Sequence, residues 1–240
     1  MKWEHFEDFD KPYGLTSQPF FSIIITSYNR KNILKRALDS LIRQTENDWE
    51  AIIVDDESID DTSSLVLPYI KANSGFRYLK KAHSGEALSK NEGIKLASGK
   101  FISFLDSDDE YSPGHLQLRK AILMQNPSVN FLYGGVKIIG NQYVPDRFDY
   151  TKRINLNECV IGGTFFIERC TLLRLKGLRN LMVGTDADLF ERAMASKVIM
   201  KETGIPTYIY HHETEDSITN MLLNKCSDTE SILNEINLNN

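Results

Sequence analysis

Phe21-Ser22-Ile23-Ile24-Ile25-Thr26, continued by Ser27-Tyr28-Asn29-Arg30 and then by Lys31 to Ile42, is the stretch that decides the fold. Its β-branched run has no alternating polar side, which marks a strand buried on both faces. Behind it Ile33, Leu34, Ala37, Leu38, Leu41 and Ile42 recur with a helical period on one face. A doubly buried strand feeding an amphipathic helix is the repeating unit of a parallel α/β sheet. The alternation continues outward: a strand over Ala51 to Val54, a helix over Asp60 to Asn73 made irregular by Pro68, and a strand over Phe76 to Lys80. A helix over Ser84 to Ser98 and a strand over Phe101 to Leu105 follow, so the first half reads as an open, mostly parallel sheet flanked by helices.

Regularity fades after Pro113. The pattern predicts a helix to about Asn126, then strands over Val129 to Gly134 and Val136 to Ile139 with a hairpin turn at Gly140-Asn141. Val160 to Ile167 reads as a strand interrupted at Gly162-Gly163, Asp186 to Ser196 as a helix with Ala187, Phe190 and Met194 inward, and Thr207 to Tyr210 as a last strand. Residues 1–19 read as an extension packed on one finished domain of residues 20–215, and residues 216–240 as a thin helical tail.

With 28 Lys+Arg against 33 Asp+Glu there is no basic stripe to neutralise a nucleic-acid backbone. No run approaches the ~18 apolar residues of a membrane span, and the acidic, aromatic start is unlike a signal peptide, so the expected location is cytoplasmic. Cys159, Cys170 and Cys226 lack metal-site spacing and read as reduced core thiols.

In an open parallel sheet, ligands bind beyond the carboxyl ends of the strands. The first strand ends in Thr26, Tyr28 and Arg30, a hydroxyl, an aromatic face and a cation at a helix entrance that favours anions. The second ends in Asp55-Asp56-Glu57-Ser58, and helix capping does not require that acidic pair. The fourth ends in Asp106-Ser107-Asp108-Asp109-Glu110, whose carboxylates repel one another unless a cation or a solvated turn relieves them. Oxygen-rich tips suit Mg2+ or Mn2+ shared with substrate phosphates. An EF-hand is excluded, since Tyr111 and Gln117 stand where its Gly and Glu are needed. Paired Asp106 and Asp108 also fit a phosphatase. The sequence has no GxGxxG after the first strand, no GxxxxGK[ST] and no GxSxG, which excludes the dinucleotide fingerprint, the P-loop and the esterase elbow.

Several motifs in order resemble family 2 glycosyltransferases of the GT-A fold. Thr26 to Arg30 is similar to the family's Thr-x-Tyr-Asn-Arg, and Val54 to Asp60 to its Val-Asp-Asp-Gly-Ser-Thr-Asp, with Glu57 and Ile59 as departures. His83-Ser84-Gly85 with Ser89-Lys90-Asn91-Glu92-Gly93 resembles Asn-x-Gly with Ala-Arg-Asn-x-Gly, and Asp106-Ser107-Asp108 its DxD motif. Gly184 to Arg192 resembles the segment that presents the catalytic base, with Thr185 for the usual Glu.

The resemblance implies a nucleotide-binding half over 20–112 and an acceptor half over 113–215. It implies that Thr26 and Tyr28 line a nucleobase pocket and that Asp56 accepts from the base, which a uracil imide suits. It places Asp106 near the ribose, Asp108 on the metal, Arg30 and Lys90 against phosphate charge, and Asp186 as base. Tyr210-His211-His212 resembles the closing segment, with His212 a candidate metal ligand. The implied activity is a Mn2+- or Mg2+-dependent, inverting sugar transfer from a UDP-linked donor to a glycan or lipid-linked glycan hydroxyl in surface polysaccharide synthesis. Peripheral contact with the inner membrane face and a homodimer stay open. A binding module with its chemistry lost is the alternative from another class, motivated by Glu57, His83 and Thr185.

Overall fold

A computed structural model describes residues 18–149, 152–181 and 184–213. In chain order these form β1 (Phe21–Ser27), α1 (Lys31–Ile42), β2 (Trp49–Asp55), α2 (Thr62–Ala72), β3 (Phe76–Lys80), α3 (Glu86–Leu96) and β4 (Phe101–Phe104). Then come β5 (Glu110–Tyr111), α4 (His115–Gln125), β6 (Phe131–Tyr133), β7 (Val136–Gly140), β8 (Tyr143–Pro145) and β9 (Arg153–Asn155). The last are β10 (Phe166–Glu168), α5 (Arg169–Arg174), α6 (Thr185–Ala195), β11 (Met200–Glu202) and β12 (Tyr208–His212).

The main sheet has the order β11-β6-β10-β4-β1-β2-β3. Its strands run parallel except β10, which lies antiparallel between β4 and β6. The expected mostly parallel α/β sheet is therefore what the chain forms. Alternation along the buried strands divides the core in two. Ile23, Ile25, Ala51 and Ile53 face α1, α2 and α4 through Leu38, Val66 and Leu116. Ile24, Ile52 and Val54 face α3, α5 and α6 through Ile94, Leu172 and Leu189. Because β1 and β4 are central, their carboxyl ends open together at the middle of one sheet edge.

The second half differs from its sequence expectation in several places. No hairpin forms at Gly140-Asn141: β7 instead pairs in parallel with β12, in a small sheet of order β5-β12-β7, and β8 pairs with β9. Val160 to Ile167 is not one strand, since Gly162–Thr164 takes a 3-10 turn and only Phe166–Glu168 joins the sheet. Gly163 is compact there because a Cβ would lie 2.1 Å from the Tyr208 hydroxyl. On α6 Leu189 and Ala193 are buried and Phe190 packs on the core as expected, while Met194 is exposed. Cys159 is half-buried and Cys170 exposed, so neither is a core thiol, and Cys226 lies outside the described residues. The expectations for residues 1–17 and 214–240 also lie outside them. No helix among the described residues is long and apolar enough to cross a membrane.

At the amino edge of the sheet, buried Glu50 on β2 gathers the neighbouring segments. It accepts from Ser22 Oγ at 2.6 Å, Ser98 N at 2.7 Å and Arg77 at 3.0 Å. Burial alone would raise this carboxyl, but the donors from Ser22, Ser98 and Arg77 hold it below the ordinary glutamate range. Its contribution to stability is thus present above the unfolded-state pKa and is lost as pH falls through the lower folded-state value. Glu50→Gln should cost about 1–3 kcal/mol at neutral pH in urea unfolding and lose less stability than wild type on acidification. A variant as stable as wild type at neutral pH would show that the cluster is incidental.

Candidate active site

The site is built where β1, β2 and β4 end. After β1 the chain turns through Asn29, at φ 53°, into α1. That turn is fixed from the β2 side: Asn29 N donates to Ser58 Oγ, Ile59 N to Asn29 Oδ1, and Lys31 N to Asp60 Oδ2 at 2.8 Å. Asp60 thus satisfies an α1 amide from outside the helix. Glu57, standing where the motif usually has glycine, adopts φ 74°. It therefore keeps the left-handed backbone that glycine takes freely, and its carboxylate accepts from His83 N at 3.1 Å.

Asp55 and Asp56 divide into two roles. Asp55 is fully buried and accepts from Ser58 N and from the Tyr78 hydroxyl, so it holds the turn. Asp56 meets three donors, Lys81 Nζ at 2.7 Å, Ser84 N at 2.9 Å and Gly85 N at 2.8 Å, while the His83 Nδ1 atom lies 2.9 Å from Oδ2 and 3.2 Å from the Asp56 carbonyl. Burial would raise its carboxyl, but donors including Lys81 and the Ser84 and Gly85 amides hold it low. Three donors leave about one of the four lone-pair sites of the carboxylate, on the side where the His83 ring lies. The His83 ring also lies against Tyr28, with centroids 4.4 Å apart. Tyr28 is 47% exposed, so one aromatic pair roofs the mouth above Asp56. Thr26, partly buried, is the penultimate residue of β1, in register with Val54.

The acidic tip after β4 is neutralised from several directions. Lys90 on α3 reaches Asp106 at 2.8 Å and also pairs with Glu86. Burial would lower the Lys90 ammonium, but the charges of Asp106 and Glu86 more than reverse this and keep it a cation. Arg30 pairs with Asp108 at 3.2 Å, and Arg36 donates to the Asp108 carbonyl at 2.9 Å. Burial and the neighbouring Asp106 charge raise the Asp108 carboxyl against the pull of Arg30. Asp109 is wholly buried, accepting from the Tyr208 hydroxyl and from His211 N at 2.8 Å. It anchors β12 to the acidic loop and does not cap the next turn.

Asp186 lies in the first turn of α6, whose N-cap is Gly184. Its carboxylate accepts from Gly162 N at 3.1 Å and Ala187 N at 2.9 Å. Burial raises this carboxyl, the two amides and the Lys90 charge lower it, Asp106 adds to the rise, and the net shift is upward. Asp186 therefore shares an electrostatic environment with the tip of β4. Asp188 is engaged elsewhere, by Arg179 at 3.0 Å and Arg192 at 2.7 Å, and Arg192 also donates to the Gly177 carbonyl. Both hold α6 to the loop after α5.

Asp106 and Asp108 offer only oxygen ligands, a set that suits Mg2+ or Mn2+. Among the described residues no three His, Cys, Asp or Glu side chains converge as an ion site, so Asp106, Asp108 and His212 do not meet as they stand. Two carboxylates sharing an ion with substrate phosphates is a common arrangement for such cations, and the tip fits it. His212 is buried, its Nδ1 lies 2.6 Å from the Asn141 carbonyl, and its Nε2 has no hydrogen-bond partner among the described residues.

Residues 22–182 match the family "Glycosyl transferase family 2". The chain belongs to this family. The E. coli "UDP-Glc:alpha-D-GlcNAc-diphosphoundecaprenol beta-1,3-glucosyltransferase WfgD" is 33% identical over 157 residues, covering 63% of this chain and 61% of that protein. The Campylobacter jejuni "GalNAc(5)-diNAcBac-PP-undecaprenol beta-1,3-glucosyltransferase" is 32% identical over 214 residues, covering 84% of this chain and 67% of that one. The fold is shared with S. aureus TarS 1-349 in complex with UDP-GlcNAc, at a TM-score of 0.70 and 20% identity over 82% of this chain and 60% of that chain. It is also shared with the Pyrobaculum calidifontis mannosyltransferase PcManGT in complex with GDP-Man and Mn2+, at a TM-score of 0.60 and 18% identity, covering 85% and 60%. The chain thus spans about 61% of the length of WfgD and 60% of the TarS fragment.

The sequence does not single out Lys81 or Tyr208 as contributors to the site, and marks His83 only as a departure from the family motif. Lys81 follows a strand end, the position at which the other site residues were sought, and that signal was available. Tyr208 reaches Asp109 across 99 positions of sequence, and nothing local announces it.

Proposed function

We propose that this chain transfers a sugar, with inversion, from a UDP-linked donor to a hydroxyl of a glycan or lipid-linked glycan acceptor in surface polysaccharide synthesis. The observation that carries the reading is the electrostatic neighbourhood of Asp186, Lys90 and Asp106 at the carboxyl edge of the sheet. It joins a part-buried candidate base to a tip that suits metal and phosphate. The donor class is supported by the UDP-Glc in the name of WfgD and the UDP-GlcNAc bound to TarS, and the acceptor class by the undecaprenol-linked substrates in the names of the relatives. A lipid-linked acceptor also favours work at the inner membrane face from the cytoplasmic side.

In this reading Thr26 and Tyr28 line the base pocket and Asp56 accepts the uracil N–H. Lys81, Ser84 and Gly85 already donate to Asp56, and the His83 ring stands against its remaining approach. His83 is half-exposed and the only side chain among them that also covers Tyr28, so its ring is the one displaced. Asp106 lies near the ribose. Asp108 would hold Mn2+ or Mg2+ with the phosphates, with His212 a further ligand from the end of β12. The ion, when bound, offsets charge on the departing diphosphate. Arg30 and Lys90, now paired with Asp108 and Asp106, balance the phosphates once those carboxylates turn to their ligands.

Asp186 Oδ accepts the proton of the attacking acceptor hydroxyl, and that oxygen displaces the diphosphate from the opposite face. The Gly162 and Ala187 amides hold the carboxylate in place for this step. A module with lost chemistry was motivated by Glu57, His83 and Thr185. Glu57 keeps the required backbone, His83 contacts Asp56, and Thr185 opens α6, so none of these departures removes a group the transfer needs.

A general base contributes about 100- to 10,000-fold, so Asp186→Asn should lose that much transfer while binding UDP as wild type does. The base works ionised and its pKa is raised, so wild-type kcat/KM should fall on acidification at a pH above that of an ordinary aspartate, and the variant should lose this limb. Undiminished transfer by Asp186→Asn would sink the assignment. Removing the competing ring should help the base enter: His83→Ala should bind UDP up to about tenfold more tightly in calorimetric titration. Weaker binding would mean that the imidazole itself holds the nucleotide.

A further inference from the structure

Two fully buried side chains of α4 leave hydrogen-bonding atoms unused. His115 and Arg119 stand one helical turn apart on one face, and neither is exposed. Arg119 Nη2 donates to the Gly134 carbonyl at 2.7 Å, whereas Nε and Nη1 have no partner among the described residues. His115 Nδ1 lies 2.8 Å from the Thr207 hydroxyl, and its Nε2 is likewise without a partner among them. Both side chains lie against one ring: Phe166 is 5.4 Å from the imidazole centroid and 5.8 Å from the guanidinium carbon. The unused atoms thus belong to one small neighbourhood between α4, β10 and β12. Charge sets it apart from an ordinary buried polar cluster. Burial lowers the Arg119 guanidinium to about 10, which leaves it a cation at neutral pH. Arg30, Arg43, Arg77 and Arg192 each pair with a carboxylate, but among the described residues none lies within ion-pair distance of Arg119. A buried water would satisfy the N–H groups and leave the charge uncompensated, which is strongly unfavourable.

We propose that His115 and Arg119 form an internal site for a monatomic monovalent anion of the size of chloride. Arg119 Nε and Nη1 supply N–H groups and the compensating charge. Burial and the Arg119 charge keep His115 neutral, and because the Thr207 hydroxyl can donate to Nδ1, the ring can carry its proton on Nε2 and offer a further N–H. The remaining walls are aromatic: Tyr111 stacks on His115 at 4.0 Å, and Tyr208 lies 6.5 Å away. One negative charge balances the guanidinium. A phosphate would bring more oxygens and more charge than these donors can meet, and the backbone leaves little room for it. Gly135 passes so close that a Cβ there would lie 2.1 Å from the Ile205 carbonyl oxygen and 3.0 Å from Arg119 Nη2. The ion ties α4 to β10 and to the turn after β6, behind the strand from which Tyr208 reaches Asp109. This site does not depend on the sugar-transfer reading.

The test is thermal unfolding of the full chain at fixed ionic strength while sodium gluconate is replaced by sodium chloride or sodium bromide. At about ten times its dissociation constant either halide should raise the wild-type midpoint by about 3–6 °C, along a saturating curve. Arg119→Met should lose the saturating part and keep only the shallow change that salts produce without a site. Should that variant fail to fold, His115→Phe keeps an aromatic ring on Tyr111 and should need about tenfold more chloride for the same gain. Crystals of the wild-type chain grown in sodium bromide should show an anomalous peak between the Arg119 guanidinium and His115 Nε2. No saturating halide response, an unchanged response in either variant, or a water without anomalous signal in place of the peak would each overturn the proposal. A bromide peak with no halide-dependent midpoint would mean an adventitious ion only, and would overturn it as well.

Discussion

The structure depends on how one short loop is kept from repelling itself. Asp106, Asp108, Asp109 and Glu110 place four carboxylates within five residues at the tip of β4. Each is answered from a different part of the fold: Asp106 by Lys90 of α3, Asp108 by Arg30 before α1, Asp109 by Tyr208 and His211 of β12, and Glu110 by Arg43 after α1. The loop is thus the point at which both faces of the main sheet and the small second sheet are tied together. Burial and mutual repulsion still push Asp108 and Asp109 upward, so their partners offset the charge only in part. A tip in this condition has reason to receive a cation.

The same economy shapes the neighbouring strand end. Asp56 accepts from Lys81, Ser84 and Gly85 of one loop, 81–85, and that loop also lays His83 on Tyr28. Donor and base regions therefore belong to one polar network along the ends of β2, β1 and β4. Asp186 joins it from the other half through α6, and the tight turn at Gly162 to Thr164 lets α6 approach. Gly162 suits this approach, since a Cβ there would lie 3.1 Å from Asp186 Cβ and would require that side chain to shift.

The first half was legible because its signals are physical and local. Strands β1 and β2 are seven residues long and buried apart from Thr26, and the helix after β1 buries Leu34, Ala37, Leu38 and Leu41 on one face although Ile42 at its end is exposed, so period and burial largely agree. Thr26, Tyr28, Arg30, Asp56, Asp106 and Asp108 could be read as a group since each lies at or just beyond the end of such a strand, whereas Lys90 entered through motif resemblance alone. In the second half the strands β6, β8, β9, β10 and β11 are three residues each, too short to show a period. Their pairing is non-local as well, which is why β7 was read into a hairpin although it pairs with β12, some seventy residues on. Asp186 was still found, through motif resemblance, while its partner Gly162 was seen only as a break in a strand. The Asp109 to Tyr208 contact and the His115 to Thr207 contact required coordinates, since they join residues that share no local pattern.

The central claim is that the acidic tip of β4 exists to receive a cation together with a nucleoside diphosphate. A calorimetric titration of UDP into the wild-type chain, once with Mn2+ and once with a chelator, tests it most directly. The account predicts one UDP per chain with Mn2+ and binding weaker by at least about tenfold, or roughly 1.4 kcal/mol, without it. Equal affinity in the two titrations would contradict the account, because Arg30 and Lys90 alone would then be holding the phosphates.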